Sequence, residues 1–350
     1  MNSINVISTL EQLNLYKDKI DALNKVGDGG TIFSSVNWIF IWWKTFSSNN
    51  DLLRLIIVFD DDEVVGFCPL YVKDGKTLMF VGTGEDERIE TCPEYLDIVY
   101  LKEHRQVVSI LIQQWMMDND KAFSECLFVS YLKSSLMHSV LCSLPNRFIS
   151  HFTDTGVQHL ITLSQNMAAF IARIESTSFK KKLNRLNNII DSDNRLTIRY
   201  LTNDDSDFCD VFTQLKDLHQ QRWAVKGEDG AFASTEFNDF HLDFGDVALK
   251  QGKAVLAVIS LDGKPIAITY CLISNNTCHY YQSGIDDNVP HKYSPGHIMH
   301  LAMMRYCLER HIKHYDFMRG TRQSSYKDKY STERSDMGNM KITMLRVSNI

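Results

Sequence analysis

Two β-hairpin patterns with similar turns, one in each half of the chain, constrain the fold more than any other sequence feature. The first joins apolar runs at 53–59 and 64–72, and the second joins apolar runs at 254–259 and 266–273. Such runs around a polar turn are typical of hairpins. Aligned by hand, the two match at Asp61, Val65, Gly66 and Phe67 in the first, and Asp262, Ile266, Ala267 and Ile268 in the second. The match indicates duplication of one fold unit.

The elements around the two hairpins repeat in the same order. Predicted in the first half are a helix over 38–46 before the hairpin and, after it, strands over 77–81 and 95–100, a helix over 106–117 and a strand over 127–131. Predicted in the second are helices over 207–223 and 235–250, then strands over 277–283 and 314–320 around a helix from Pro295. We therefore expect a mixed-sheet α/β fold in two halves, 1–163 and 196–350, joined by a polar helical bridge over 164–195.

Composition excludes several classes of protein. The 350 residues are 44% hydrophobic and 23% charged, which is typical of a globular protein rather than a disordered one. The net charge of -6 gives no overall attraction to nucleic acid or to an anionic membrane, so a DNA partner is not expected. Eight cysteines without a CxxC pair indicate reduced, buried thiols. No signal-peptide core or run of about 20 apolar residues occurs, and we expect a cytoplasmic protein.

The segment Ser294-Pro295-Gly296 opens a long amphipathic pattern. Ser at the N-cap followed by Pro at the first helical position is a helix-start signature. A helix that begins beside the end of a strand presents backbone N–H groups that can bind phosphate. An ordinary capped helix without a ligand is the alternative.

A short predicted strand, HYDFMRG at 314–320, follows that helix and carries Asp316 and Arg319. Charged residues at a strand end beside a helix N-terminus lie where open α/β sheets place their sites. A surface ion pair between the two is the alternative.

Three segments together carry a family resemblance: YYQSGID at 280–286, SPGHIMHLAMMRYCLERHIKHYDFMRG at 294–320, and YKDKY at 326–330. They resemble the C-terminal signature of GNAT-like acyltransferases, in the CelD-type branch of cellulose and exopolysaccharide loci, which is related to FemAB peptidyltransferases. The resemblance extends upstream to LHQQRW at 218–223 and to the basic stretch 179–186, and more faintly to PEYLD at 93–97. The resemblance implies two tandem GNAT-like folds and an acyl-transfer reaction.

The resemblance also implies a donor site. Gln282, Ser283 and Gly284 would border the acyl arm of acyl-CoA, and Ser294, Gly296 and His297 would take its pyrophosphate. The family's usual Gln/Arg-x-x-Gly-x-Gly/Ala loop is replaced here by Ser-Pro-Gly-His. FemAB relatives keep the fold and accept aminoacyl-tRNA, so both donor classes stay open.

Acyl transfer needs a base for the acceptor's proton and donors for the oxyanion. Asp316 is the first choice for the base, and His219 and Tyr281 are further catalytic candidates. His219 and Arg222 share a helix face and could close over the acceptor. A pair packed on Trp223 is the alternative for those two.

Basic and acidic residues supply the remaining candidates. Asp286 and Arg319, with Arg222, are predicted to contact substrate, as is Lys327 of the YKDKY segment. The stretch KKKLNR at 180–185, with Lys181 and Arg185, could contact phosphates of CoA, a sugar carrier or tRNA. A solvated helix face is its alternative. No metal site, P-loop, dinucleotide or serine-hydrolase motif occurs.

The predicted function is transfer of an acyl group, acetyl in the first instance, from acyl-CoA to an amine or hydroxyl of a saccharide or cell-envelope precursor. One alternative is aminoacyl transfer from charged tRNA, against which stands the lack of a long heptad segment. The other is a non-catalytic module that binds an envelope precursor.

Overall fold

The computed structural model describes residues 1–323 and 326–345. Contacts between Cα atoms divide the chain into two compact units. Unit 1 comprises residues 1–157 and the segment from Ser335 onward, and unit 2 comprises Gln158–Arg334. Each unit is described by itself.

Unit 1 contains five helices and a mixed sheet among its described residues. The helices are α1 (Leu10–Leu15), α2 (Lys17–Val26), α3 (Val36–Phe46), α4 (Arg105–Asp118) and α5 (Leu136–Cys142). The strands are β1 (Asn2–Ile7), β2 (Leu52–Asp60), β3 (Glu63–Lys73), β4 (Thr77–Phe80), β5 (Val99–Tyr100), β6 (Glu125–Leu132) and the first part of β7 (Phe148–Thr162). Strands β1 to β4 pair antiparallel in order, and β4 pairs parallel with β6.

Unit 2 repeats this arrangement. After the end of β7 come the helices α6 (Met167–Ala172), α7 (Thr177–Ser192), α8 (Phe208–Lys226), α9 (Thr235–Lys250) and α10 (Pro295–Glu309). The strands are β8 (Leu196–Leu201), β9 (Ala254–Leu261), β10 (Lys264–Ser274), β11 (Thr277–Ile285), β12 (His314–Gly320) and the start of β13 (Glu333–Met344). Strands β8 to β11 pair antiparallel in order, and β11 pairs parallel with β12. The predicted mixed α/β class is confirmed.

The two hairpins share local geometry as well as sequence. Asp61 and Asp262 begin the two-residue turns with left-handed backbones, at φ 48° and 51°. The antiparallel register shifts after Val58 in the first hairpin and after Pro265 in the second, which leaves Val65 and Ile266 as bulged residues at equivalent positions. The predicted alignment of the hairpins is therefore confirmed at the level of turn and bulge.

Most predicted elements are present, and the differences have local causes. The strand predicted over 95–100 is reduced to Val99–Tyr100. Tyr95 has φ 64°, and the Asp97 carboxylate accepts hydrogen bonds from the N–H groups of Ile98, Leu136 and Met137. Because Asp97 caps the start of α5, this segment does not continue as an extended strand.

The division into units differs from the predicted boundaries at 163/164 and 195/196. Helices α6 and α7, predicted as a bridge, lie within unit 2, where Phe179, Leu183 and Leu186 of α7 belong to the same buried core as α10. The chain from Ser335 onward belongs to unit 1, because β13 pairs with β6 there. Contacts so distant in sequence leave no local pattern.

The cysteines are only partly buried. Cys68, Cys126, Cys271, Cys278 and Cys307 are buried, whereas Cys92, Cys142 and Cys209 are exposed, and no disulfide joins any of these eight described residues. Within the described part of the chain, no helix has the length and apolar character needed to cross a membrane.

Candidate functional site

Strands β11 and β12 separate part of the way along their length. They pair in register only from Thr277 opposite His314 to His279 opposite Asp316. Just beyond this point, the register of β11 with β10 shifts between Tyr270 and Cys271, which leaves Tyr281 as a bulged residue. The bulge and the end of pairing leave a gap in the sheet beside the start of α10.

A pocket of about 270 Å³ lies at this gap in unit 2. We call it the α10 pocket. It is lined by Arg222, Tyr280, Ile285, Asp287, Ser294, Pro295, Gly296, His297, His300 and Tyr326. The predicted residues Arg222, Ser294, Gly296 and His297 thus come together in one pocket, as the sequence analysis expected of the last three.

Aromatic rings form one wall of the α10 pocket. The centre of the His300 ring lies 4.8 Å from that of the Tyr280 ring. The Tyr326 ring stacks on His300, with 5.9 Å between the ring centres and an interplanar angle of 24°. Phe317 of β12 packs against His300 at 4.6 Å. Such a wall suits an apolar group with few polar contacts.

The start of α10 also lines the pocket. Pro295 occupies the first helical position, as predicted. Ser294 stands at the N-cap but has a left-handed backbone, φ 43°, and its hydroxyl donates to the His291 carbonyl at 3.1 Å instead of accepting from the helix. Ser294 is therefore the N-cap, as predicted, but its side chain makes no capping hydrogen bond to the helix.

Gly296 leaves this helix end accessible. A Cβ built there would come within 4 Å of one neighbouring atom only, Cδ1 of Ile285 at 3.3 Å. The backbone of the first turn thus borders open space in the α10 pocket.

His297 is held by an aromatic and cationic surrounding. Its Nδ1 is hydrogen-bonded to the Tyr330 hydroxyl, and its ring packs edge-on against Phe179. Burial, together with the positive charges of Lys182 and Lys329, lowers the pKa of His297 to about 4. The imidazole is therefore neutral at physiological pH.

Basic residues of α7 lie beside the same helix end. Arg185 donates to the carbonyl of Lys292, just before α10, and Lys182 lies close enough to His297 to affect its pKa. The Lys329 ammonium lies 5.9 Å from the centre of the Phe179 ring. We call Lys182, Arg185 and Lys329 the basic cluster. Lys181, on the same helix, is exposed and is not among the residues that line the α10 pocket.

Two acidic residues follow β11 and have different surroundings. Asp287 accepts a hydrogen bond from Nε of Arg222 at 3.1 Å, and both line the pocket. Asp286 instead pairs with Lys264 at 3.2 Å and accepts from the backbone of Asn288. These contacts lower the pKa of Asp286, the backbone hydrogen bond most of all.

Asp316 lies in the sheet, fully buried, and is not among the pocket-lining residues. Its carboxylate is 3.1 Å from Nδ1 of His279 and accepts from the Gln158 amide at 3.2 Å and the Met318 N–H at 2.8 Å. On the same strand, Phe317 packs against the pocket residue His300, and side chains of successive strand residues point to opposite faces. Asp316 is thus held by these hydrogen-bond partners within the protein, and its catalytic role stays a prediction.

His219 and Tyr281 are each engaged with neighbouring side chains. Trp223 donates to Nε2 of His219 at 2.9 Å, and Gln220 lies 3.1 Å from Nδ1, so the predicted contact with Trp223 is present. The Tyr281 hydroxyl lies 3.0 Å from Nε2 of His241. Neither residue lines the α10 pocket.

The predicted acyl-arm segment lies on β11 next to the pocket. The Ser283 hydroxyl is bonded to that of Tyr280, and the backbone carbonyl of Gln282 accepts from Thr269. Gly284 packs under α8, where a Cβ would meet the Leu215 carbonyl oxygen at 2.6 Å. The close approach of α8 therefore explains why position 284 is a glycine.

Lys327 fastens the turn after β12 to the strand itself. Its ammonium donates to the carbonyls of Phe317 at 2.7 Å and Arg319 at 2.6 Å. Arg319 is half-buried at the end of β12. Lys327 thereby positions the segment that carries Tyr326.

The sequence analysis missed the aromatic part of the site. Tyr280, His300 and Tyr326 line the pocket, and Tyr315 is bonded to His300. A usable signal was the spacing of His297 and His300, which places both on one side of a helix start. No group of three or more metal-ligating side chains occurs within 1–323 and 326–345.

Comparison with known proteins identifies part of the chain. Residues 177–328 match the family model described as "Acetyltransferase (GNAT) domain". No curated protein matches the chain. The matched range contains the α10 pocket, α7 and β12.

Solved structures show the same fold over nearly the whole chain. A structure of FemX superposes with a TM-score of 0.68 at 12% identity, covering 98% of this chain and 97% of that one. L-PGS from Bacillus licheniformis gives a TM-score of 0.52 at 12% identity, covering 95% and 93%. At these identities the likeness concerns the fold alone. Residues 177–328 are therefore similar to GNAT acetyltransferase domains, and the class of protein that this similarity supports is an acyltransferase.

Proposed function

We propose that the α10 pocket holds the acyl end of acyl-CoA, with acetyl-CoA as the simplest donor. The observation that carries this proposal is the gap between β11 and β12, walled by aromatic rings and open to the first turn of α10. An acyl group needs an apolar wall, and its carbonyl needs a small number of hydrogen-bond donors. Both requirements meet here within the domain that matches the GNAT model.

The basic cluster supports the proposal that the donor carries phosphate groups. The basic cluster lies beside the N-terminal end of α10, where backbone N–H groups add to the positive potential. Pro295 removes one of these N–H groups, so more of the attraction has to come from side chains. We therefore expect donor binding to weaken steeply with added salt.

The acceptor is proposed as an amine or hydroxyl of a saccharide or cell-envelope precursor, which the CelD-type resemblance supports. Arg222 and Asp287 at the pocket are placed to meet a polar acceptor. Asp286, Arg319, Lys327, Lys181 and Arg185 remain proposed substrate contacts. Asp316 remains the proposed base, with His219 and Tyr281 as further catalytic candidates.

Aminoacyl transfer from charged tRNA is the second candidate. The replacement of the usual pyrophosphate loop by Ser-Pro-Gly-His favours it, together with the basic cluster. The FemAB resemblance points to the same donor class.

Thermal unfolding in the presence of CoA, acetyl-CoA and a long-chain acyl-CoA tests the donor. A ligand at a hundred times its dissociation constant adds about 2.7 kcal/mol to the stability of the folded state. We expect a saturable rise of the unfolding midpoint that Lys182→Gln reduces. Lys313→Gln, at an exposed lysine immediately before β12, serves as the matched control and should leave the rise unchanged.

The possible outcomes separate the candidates. A rise with acyl-CoA supports the first proposal. A rise with aminoacyl-tRNA alone would replace acyl-CoA by the second candidate. Binding of an envelope precursor without any donor would point to the non-catalytic module.

A further inference from the structure

Two histidines of the α10 pocket are each bonded through Nδ1 to a buried tyrosine. His297 is bonded to Tyr330, and His300 lies 3.0 Å from the Tyr315 hydroxyl. Both tyrosines are at most 1% exposed. The two histidines are three residues apart on α10 and line the same pocket.

Each tyrosine fixes the tautomer of its histidine. Within 1–323 and 326–345, the Tyr315 hydroxyl has no hydrogen-bond partner other than Nδ1 of His300, and the same is true of Tyr330 and His297. If Nδ1 carried the proton, the hydrogen of a buried hydroxyl would have no acceptor, which folded proteins avoid. The hydroxyl therefore donates to Nδ1, and the proton of the neutral ring is on Nε2.

The surroundings keep both rings neutral. Burial is the main cause that lowers the pKa of His300, and the positive charge of Lys327, with that of His297 whenever His297 is protonated, acts in the same direction. For His297, burial is followed by the charges of Lys182 and Lys329. A neutral imidazole with its proton on Nε2 is a hydrogen-bond donor that does not compete as a base.

We propose that His300 is a catalytic residue whose Nε2–H donates a hydrogen bond to the oxyanion formed during acyl transfer, and that Tyr315 is the positioning residue that fixes its tautomer. This inference rests on the proposed function. It is His300 rather than His297 that contacts Tyr280 and Phe317, the first residues of β11 and β12 beyond the paired region.

The chemical step balances without any further reactant. The lone pair of the acceptor amine attacks the thioester carbonyl carbon, the C–N bond forms, and the carbonyl π electrons move to oxygen. His300 donates a hydrogen bond to that oxygen and keeps its proton. Collapse of the intermediate restores the carbonyl and breaks the C–S bond, and the proton lost by the amine ends on the leaving thiolate.

Nitrogen-15 NMR of the histidine rings in the ligand-free protein tests the tautomer directly. We expect a pyridine-type Nδ1 and a pyrrole-type Nε2 for His300, with the signal assigned by its loss in His300→Phe. Tyr315→Phe should shift the ring toward a mixture of tautomers. Tyr200→Phe, which removes a half-buried hydroxyl that donates to the Ala302 carbonyl of α10, is the matched control and should leave the signal unchanged. A protonated Nδ1 in the wild type would overturn the inference.

Steady-state kinetics with acyl-CoA and an accepting amine test the catalytic role. Removal of one oxyanion donor typically lowers kcat by about 100-fold or more. We expect this loss in His300→Phe with KM changed by less than about 3-fold, a smaller loss in Tyr315→Phe, and none in Tyr200→Phe. Partial recovery of kcat in His300→Gln, which keeps an N–H donor, would support the role.

The failures of the inference and of the proposed function are distinguishable. An active wild type with unchanged kcat in a folded His300→Phe overturns the inference alone. A wild type that binds and turns over no acyl donor overturns both.

Discussion

Substitution of Gly284 by Ala tests how closely α8 approaches β11 beside the pocket. The added Cβ would lie 2.6 Å from the Leu215 carbonyl oxygen, 2.6 Å from Cβ of Leu218 and 2.8 Å from the His219 backbone nitrogen. Two of these atoms belong to the helix backbone, so relief requires a shift of α8 itself. Overpacking of this kind costs about 1–3 kcal/mol, and we expect the upper part of that range.

Urea unfolding of Gly284→Ala and Gly296→Ala measures this cost. At Gly296 the added Cβ meets only the flexible end of Ile285 at 3.3 Å, and Ala favours a helix by about 1 kcal/mol over Gly. We expect a clear loss of unfolding free energy for Gly284→Ala and none for Gly296→Ala. A loss below about 0.5 kcal/mol at Gly284, within the range of neutral surface substitutions, would refute the close packing of α8 on β11.

Two further predictions concern buried polar groups. Asp316→Asn leaves one of the donors around residue 316 without an acceptor, so we expect the free energy of unfolding in urea to fall by about 1–3 kcal/mol. If Asp316 is the base, kcat should also fall by about 100-fold or more while donor binding is unchanged. Full turnover by the folded variant would remove Asp316 from the mechanism. The pKa of His297 is 6.5 in the unfolded chain and about 4 in the folded protein, so the unfolded chain takes up a proton at a higher pH than the folded protein does. The contribution of His297 to the free energy of unfolding is therefore lost as pH falls from about 7 to 4. Unfolding free energies over that range should decline less steeply in His297→Gln than in the wild type, and parallel curves would contradict the burial of a neutral His297.

The sequence predicted the parts of the fold that depend on residues close together in the chain. The hairpins, α9 at Thr235–Lys250 and β12 at His314–Gly320 depend on apolar runs and turn residues that are close together in the chain. The strand predicted over 95–100 failed because Tyr95 has a left-handed backbone and Asp97 caps the start of α5. That requirement is set by a contact with a segment far away in sequence.

The candidate site was predictable to a similar extent. The helix start at Pro295 and the basic stretch of α7 are both local signals in the sequence, and the structure shows that Arg185 of α7 donates to the Lys292 carbonyl just before α10. The roles of Tyr315 and Tyr330 could not be predicted, since a tyrosine that fixes a histidine tautomer differs in no sequence feature from one that packs in a core. Asp316 stood out in the sequence as an acid in a strand, and its hydrogen-bond partners His279 and Gln158 are visible only in the structure.

Transfer of a labelled acetyl group, followed by mass spectrometry with a panel of amines and amino sugars, tests most directly whether the α10 pocket is the donor site. Detection by mass avoids thiol reagents, which would react with the exposed Cys92, Cys142 and Cys209. Gly296→Leu extends a side chain into the pocket from a position with open space around it. The account predicts acetylated product and free CoA from the wild type and neither from a folded Gly296→Leu. Equal product from both proteins would show that the donor binds elsewhere and would contradict the account.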